Sequence, residues 1–148
     1  MTPISRFDIA TWYKVIHDII PTKAKLNRIH MTSTDACTEC CSNDTLLHRL
    51  TECGEGSAHW GQVRCLIARI IRTTPVRIPG KWLWLWPIQR HRAVLWLLAR
   101  YVTFRIHRPR TSTSQELMDY MRRSRWKLYG WHNRSKIVAN FLTVLDSP

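Results

Sequence analysis

Residues 37–54 read CTECCSNDTLLHRLTECG, and this stretch decides how the chain is organised. It sets Cys37, Cys40, His48 and Cys53 in the order Cys-x2-Cys-x7-His-x4-Cys. A two-residue gap lets both thiolates of one tight turn face a single ion, and zinc takes four sulfur or imidazole ligands in a tetrahedron. The seven-residue gap is long enough to enter a helix, from which His48 can face back. Five residues on an α-helix rotate by about 500°, which would leave His48 and Cys53 about 140° apart around the axis. An intact helix therefore splays the last two ligands. The helix has to end before Cys53, and Gly54 suits that ending. Three thiolates and one imidazole close the shell and leave no position for an activated water, so the expected metal is one structural Zn2+.

Other residues compete for the site. Cys41 would replace Cys40 with a three-residue gap, although the two-residue gap is the recurrent zinc turn. His59 lies six residues beyond Cys53 and is a fallback ligand. Cys65 reads as a buried helix residue and not as a ligand.

Outward from the metal segment, the periodicity is helical. Ile9–Ile20 is an amphipathic pattern with Asp8 as N-cap, closed by Pro21. Thr22 caps a short helix through Ile29. Asp44 caps another to about Glu52, and Ser57 a longer one through Ile71, with Trp60, Val63, Leu66 or Ile67, and Ile70 as its apolar stripe. Residues 73–80 contain Pro75 and Pro79 and read as a linker. Trp82, Trp84 and Trp86 alternate with Leu83 and Leu85, as in a short strand or a buried extended segment. Pro87 starts a helix through about Ile106, followed by Pro109. Thr113 and Glu116 form a capping box for a helix ending near Gly130, and Asn133 caps a last helix to Leu145. The expected fold is mainly α: a Cys3His zinc module over residues 1–72, then a basic, tryptophan-rich helical region over 73–148.

Charge separates the two halves. The chain has 148 residues and a net charge of +13. Residues 1–63 hold six bases against seven acids, while residues 64–148 hold seventeen bases against Glu116, Asp119 and Asp146, a net +14. Such an imbalance calls for a polyanion, with RNA or DNA the commonest. Arg105, Arg108, Arg110, Arg122, Arg123, Arg125 and Lys127, with Trp126 among them, combine phosphate-contacting and base-stacking side chains. A solvated basic face around core tryptophans is the other reading of the same residues. Trp82, Trp84 and Trp86 read as core, and Trp12 and Trp60 as buttresses of the metal site.

Five cysteines, an odd number, with a Cys-x-x-Cys pair point to a reducing compartment and a metal instead of a disulfide framework. The first residues lack the apolar run of a signal peptide. No stretch reaches the ~18 apolar residues of a membrane span. The expected location is intracellular, in nucleus or cytoplasm, with no membrane partner. His17 and His30 have no carboxylate or nucleophile arranged with them, and no phosphate-binding glycine loop occurs. An enzyme is not expected.

The run WYKVIHDIIPTKAKLNRIHMTSTDACTECCSNDTLLHRLTECGEGSAHW, residues 12–60, resembles the zinc-binding region of reverse transcriptases from LINE-type (non-LTR) retrotransposons. "IIPTKAKL", "CTEC", "DTLLHRLTEC" and the following Trp60 carry the likeness, and it is fainter through WLWLWPIQRHRAVLWLLAR. The resemblance implies a carboxy-terminal, nucleic-acid-handling region of a retroelement polyprotein. Its Cys-Cys-His-Cys residues match Cys37, Cys40, His48 and Cys53, and a polymerase domain is the implied partner. The gap between Cys40 and His48 sets the motif apart from the retroviral nucleocapsid knuckle. Two departures stand out. A polymerase domain, and often an endonuclease, precedes this region in the family, whereas the six aspartates here are all separate, so the paired aspartates of a polymerase are missing. Cys41 also stands where glycine is frequent in zinc turns. A fragment, a degenerate copy or a separated descendant is expected. The alternatives are a zinc-stabilised protein-interaction domain and a non-functional relic.

Overall fold

The computed structural model describes residues 4–84, 91–108, 111–126, 128, 139, 142–143 and 145–146. These are helical, with no strand among the described residues; the one β-bridge pairs Ala36 with Asn43 across the cysteine turn. Among the described residues five α-helices are delimited: α1 (Arg6–Ile16), α2 (Lys23–Arg28), α3 (Glu55–Ile71), α4 (Arg92–His107) and α5 (Ser114–Arg123). Among the described residues no helix is long and apolar enough to cross a membrane.

Helix α4 is the centre. Trp96, Leu97, Leu98, Tyr101, Val102 and Phe104 are buried, so it is apolar nearly all round and is packed by α1, α3 and α5. Its buried residues join Trp12 and Val15 of α1, Trp60, Val63 and Ile67 of α3, and Leu117 and Met121 of α5 in one cluster. That cluster runs across the expected boundary at residues 72 and 73.

Several helix ends differ from the sequence expectation. Helix α1 begins at Arg6, because the Ser5 hydroxyl oxygen accepts from the Asp8 amide at 3.1 Å and is the true N-cap. Asp8 is instead buried, its carboxylate 3.1 Å from the Arg100 guanidinium of α4. The helix stops at Ile16, well before Pro21, where Asp18 takes a left-handed φ of 49°. Tyr13, expected on the apolar stripe, is exposed. Thr22 caps α2 as its sequence implies, and the Thr113–Glu116 capping box is complete. Helix α5 ends at Arg123, short of Gly130. Gly54, not Ser57, precedes the first turn of α3.

The tryptophan segment is not extended. Residues Gly80–Trp84 form a 3-10 turn in which Leu83 is fully buried while Trp82 and Trp84 are half-buried. The Leu83 carbonyl accepts from the Trp12 indole, which anchors the turn to α1. Alternation was the wrong period here, since the tryptophans rim the core and the leucine enters it. Pro75–Arg77 forms a second 3-10 turn, and Ile78 after it is buried. Cys65 is exposed on α3, against the expectation of burial, because the helix turns Leu66 and Ile67 inward. Trp86, Pro87, Pro109, Gly130 and Asn133 lie outside the described residues; α4 is helical from Arg92.

Candidate metal centre

Four donor atoms meet between α2 and α3. The sulfurs of Cys37, Cys40 and Cys53 and a ring nitrogen of His48 all lie within 4.8 Å of one another. Cys37 Sγ is 3.5 Å from Cys53 Sγ, Cys53 Sγ is 3.8 Å from Cys40 Sγ, and Cys40 Sγ is 3.2 Å from His48 Nε2. A tetrahedral ion with metal–sulfur bonds of about 2.3 Å has sulfur–sulfur edges of about 3.8 Å and sulfur–nitrogen edges of about 3.6 Å. The cage therefore has the dimensions of such a shell, and its donor set fits a metal ion. Cys37, His48 and Cys53 are buried, and Cys40 is the exposed corner.

The first two donors come from a hydrogen-bonded turn. The Cys37 amide donates to the Ser42 carbonyl at 2.7 Å, and the Cys41 amide to the Cys37 carbonyl at 3.0 Å. The Glu39 amide points at Cys37 Sγ, 3.5 Å away. Reversing the chain this tightly puts Cys41 at φ 61°, the left-handed region that glycine occupies without cost. Cys41 is exposed and stands apart from the donor cluster, so Cys40 holds the second corner.

The last two donors come from one helical turn. It is wound as a π-turn over His48–Glu52, and the Cys53 amide donates to the His48 carbonyl, five residues back, at 3.0 Å. The wider winding brings Cys53 beneath His48. Cys53 itself is extended, with φ −89° and ψ 127°, so the helix does end before it. Thr45, not Asp44, caps this turn, its hydroxyl oxygen accepting from the His48 amide at 3.1 Å. Asp44 is committed elsewhere: its carboxylate accepts from the Lys23 amide at 2.9 Å and pairs with Arg49. This ties the metal turn to α2.

Helix α4 fastens the turn to the core. The Tyr101 hydroxyl donates to the Leu50 carbonyl, and Arg105 Nη2 donates to the Arg49 carbonyl at 2.9 Å. These are carbonyls that a helix end leaves without an internal partner. Arg105 also lies 3.2 Å from His59 Nδ1. A Cβ at residue 56 would come within 2.9 Å of both Arg105 Nη2 and the Arg49 carbonyl, so Gly56 makes room for this clamp. His59 is buried edge-on to Phe104 and is absent from the cluster, which removes it as a fallback ligand. Trp12 and Trp60, expected beside the metal site, are core residues, Trp60 packing on Tyr101 at 5.6 Å.

The four donors shift in different directions, Cys37 and Cys40 toward thiolate and His48 and Cys53 toward their protonated forms. Burial pushes the Cys37 thiol up. The amides of Glu39 and Cys40, with His48 and Cys53, outweigh burial and hold it at about 6. The backbone and hydroxyl of Ser42 lower Cys40. Burial lowers His48, but the neighbouring Cys37 and Cys40 sulfurs more than reverse this and raise it. Cys53 is raised by burial and by the facing Cys37 sulfur. His48 Nδ1 is 3.5 Å from a Glu52 carboxylate oxygen, a carboxylate–imidazole contact of the kind that orients a ligating ring. The His-x-x-x-Glu spacing on a helix was the sequence signal for Glu52. Tyr101 and Arg105 had none.

The residues expected to contact nucleic acid divide into four groups. Arg105 is turned inward as described, which corrects its assignment: its guanidinium is consumed by the Arg49 carbonyl and His59. Arg122 donates to the Leu145 carbonyl at 2.8 Å, and Arg125 pairs with Asp146 at 2.8 Å, so both tie α5 to the chain end. Arg108, Arg123 and Trp126 are exposed. Arg110 and Lys127 lie outside the described residues.

Fold and site together define a mainly helical protein with a Cys3His cluster able to hold a metal ion. No protein-family model, curated protein or solved structure matches the chain.

Proposed function

We propose that the Cys3His cluster holds one Zn2+ as a structural ion. The observation that carries this is the closure of three sulfurs and one imidazole into a cage of tetrahedral size. Thiolate-rich sets favour zinc over calcium or magnesium, which seek oxygen. A shell filled by four protein ligands supports a staple in place of a catalyst, and its binding energy becomes folding energy. Elemental analysis of the purified chain is expected to give one zinc per chain. A chain that keeps its helicity and contains no zinc would refute the assignment.

The reading we favour for the whole chain is a nucleic-acid-binding module without catalytic activity of its own, derived from the carboxy-terminal part of a non-LTR retrotransposon reverse transcriptase. The net +14 of residues 64–148 supports it, as do the exposed Arg69, Arg72, Arg77, Lys81, Arg108 and Arg123. The resemblance of residues 12–60 to the reverse-transcriptase zinc region supports the origin. In such an element the region would help hold template RNA or target DNA beside a polymerase domain. Binding to oligonucleotides should weaken steeply with salt, by about 0.7 to 0.9 log units per phosphate contact per decade of salt. Absence of binding at low salt would rule this reading out.

One observation favours a protein-docking role instead. Phe7, Tyr13 and Ile19 are exposed on and after α1. Ile9, Ala10, Tyr13 and Ile19 line an open apolar groove of about 550 Å3, rimmed by Arg6 and Lys14. Exposed apolar patches of this kind mark interaction surfaces. Tyr13→Glu should abolish partner docking while leaving oligonucleotide binding intact, which separates the two roles.

A further inference from the structure

The end of α4 and the body of α5 enclose a second cavity, far in sequence from the cysteines. Its volume is about 280 Å3, close to the lower bound of small-molecule sites. Phe104 and Tyr120 supply aromatic rings to its wall, with centroids 5.3 Å apart. Arg108 and Arg123 enter from opposite elements, α4's C-cap and the last residue of α5. Ser112 and Thr111 add hydroxyls.

The formal charge of the lining hides an asymmetry. Glu116 and Asp119 also line the cavity, but both carboxylates are already used. Glu116 accepts from the Thr113 amide in the capping box, and Asp119 accepts from the Gln115 amide at 3.0 Å and lies 3.6 Å from Arg122. Arg108 and Arg123 are exposed and have no carboxylate partner among the described residues. Two guanidinium groups lie over the Tyr120 ring, that of Arg100 at 3.9 Å from its centroid, itself neutralised by Asp8, and that of Arg108 at 6.0 Å. The cavity thus offers two guanidinium groups without a carboxylate partner among the described residues, two hydroxyls and the partly exposed Tyr120 ring.

We infer that this cleft is a subsite for one nucleotide of a single-stranded nucleic acid, its phosphate held between Arg108 and Arg123 and its base laid against the partly exposed Tyr120 ring. Guanidinium forks match phosphate oxygens, and aromatic rings stack any base. The volume is too small for a duplex. The inference rests on the nucleic-acid reading above and names the place where that reading acts.

The test uses the full chain, purified with zinc, and a short fluorescent single-stranded oligonucleotide, with folding of each variant checked by circular dichroism. The double variant Arg108→Ala/Arg123→Ala is expected to lose about tenfold or more in affinity at low salt, with a salt slope shallower by about 0.7, the value for one single-strand phosphate contact. Tyr120→Leu is expected to weaken binding with the slope unchanged. A control pair that removes the same charge elsewhere, Arg69→Ala/Arg77→Ala, is expected to have a smaller effect. Equal losses in the two double variants, or wild-type affinity in the cleft variant, would overturn the subsite while leaving the chain a nucleic-acid binder. No oligonucleotide binding by the wild-type chain would overturn the broader reading and the subsite with it. Inorganic phosphate that protects the cleft arginines from modification, with oligonucleotide giving no protection, would also overturn it.

Discussion

The amide of Cys53 donates to the carbonyl of His48, five residues behind it, at 3.0 Å. This one hydrogen bond converts an α-helical turn, which would splay the two side chains, into a π-turn that brings them together. Both then face the Cys37–Cys40 turn.

Removing one corner should separate ligand from bystander. Cys53→Ser is expected to lower zinc content well below one per chain and to destabilise residues 36–60. Cys65→Ser, at an exposed position, should change stability by no more than about 0.5 kcal/mol. Elemental analysis and thermal melting read both. Full zinc content in the Cys53 variant would disprove its role.

Acid should release the metal. In the metal-free chain Cys37 is depressed to about 6, so the stability its thiolate lends is present above the ordinary thiol range and is lost as pH falls through about 6. His48 is raised, so the stability its imidazolium lends is present below its ordinary value and is lost as pH rises through the raised one. Zinc must displace those protons, so its affinity is expected to climb with pH and to drop sharply below about pH 6. Competition with a chromophoric chelator across pH 5 to 8 checks this. An affinity flat over that range would contradict the assigned ligands.

Tyr101→Phe removes only the hydroxyl that donates to the Leu50 carbonyl. A buried acceptor left without its donor costs about 1–3 kcal/mol. The variant is expected to melt earlier and to bind zinc more weakly, because the lost bond links α4 to the turn that carries His48. Unchanged zinc affinity would show that the core and the cage are independent.

Two left-handed residues of the metal region should respond in opposite directions. Cys41 sits at φ 61° without a glycine's freedom, so Cys41→Gly is expected to stabilise the zinc-loaded chain by up to about 1 kcal/mol. Gly54 sits at φ 46°, where an added Cβ would come within 2.9 Å of Glu39 Oε2. Gly54→Ala is expected to destabilise by about 1–3 kcal/mol, and Glu39→Ala should recover only the steric part. Denaturant titrations of the three variants measure this. A destabilised Cys41→Gly chain would mean that the Cys41 side chain has a role the turn does not reveal.

Much of this protein is local, and the local part was legible. Cys37, Cys40, His48 and Cys53 were identified from their gaps, since a turn and one helical turn are short enough for spacing to determine direction. The Thr22 cap and the Thr113–Glu116 box were legible for the same reason: donor and acceptor lie three residues apart. The requirement that the helix end before Cys53 was legible as well, although the π-winding that fulfils it was not.

What the chain alone determined is thus the candidate ligand set, the helical class and the separation of charge, each a property of near neighbours or of composition. What only the tertiary structure decided is where the longer side chains are spent. Asp8 left its capping role for Arg100, ninety-two residues away, and Asp44 left its own for Lys23. Arg105 turned from the basic surface to the Arg49 carbonyl, fifty-six residues back. Leu83 took the core position that the alternating tryptophans had seemed to claim. In each case a buried polar group or an apolar surface was satisfied by a partner distant in sequence, and no local period carries that information.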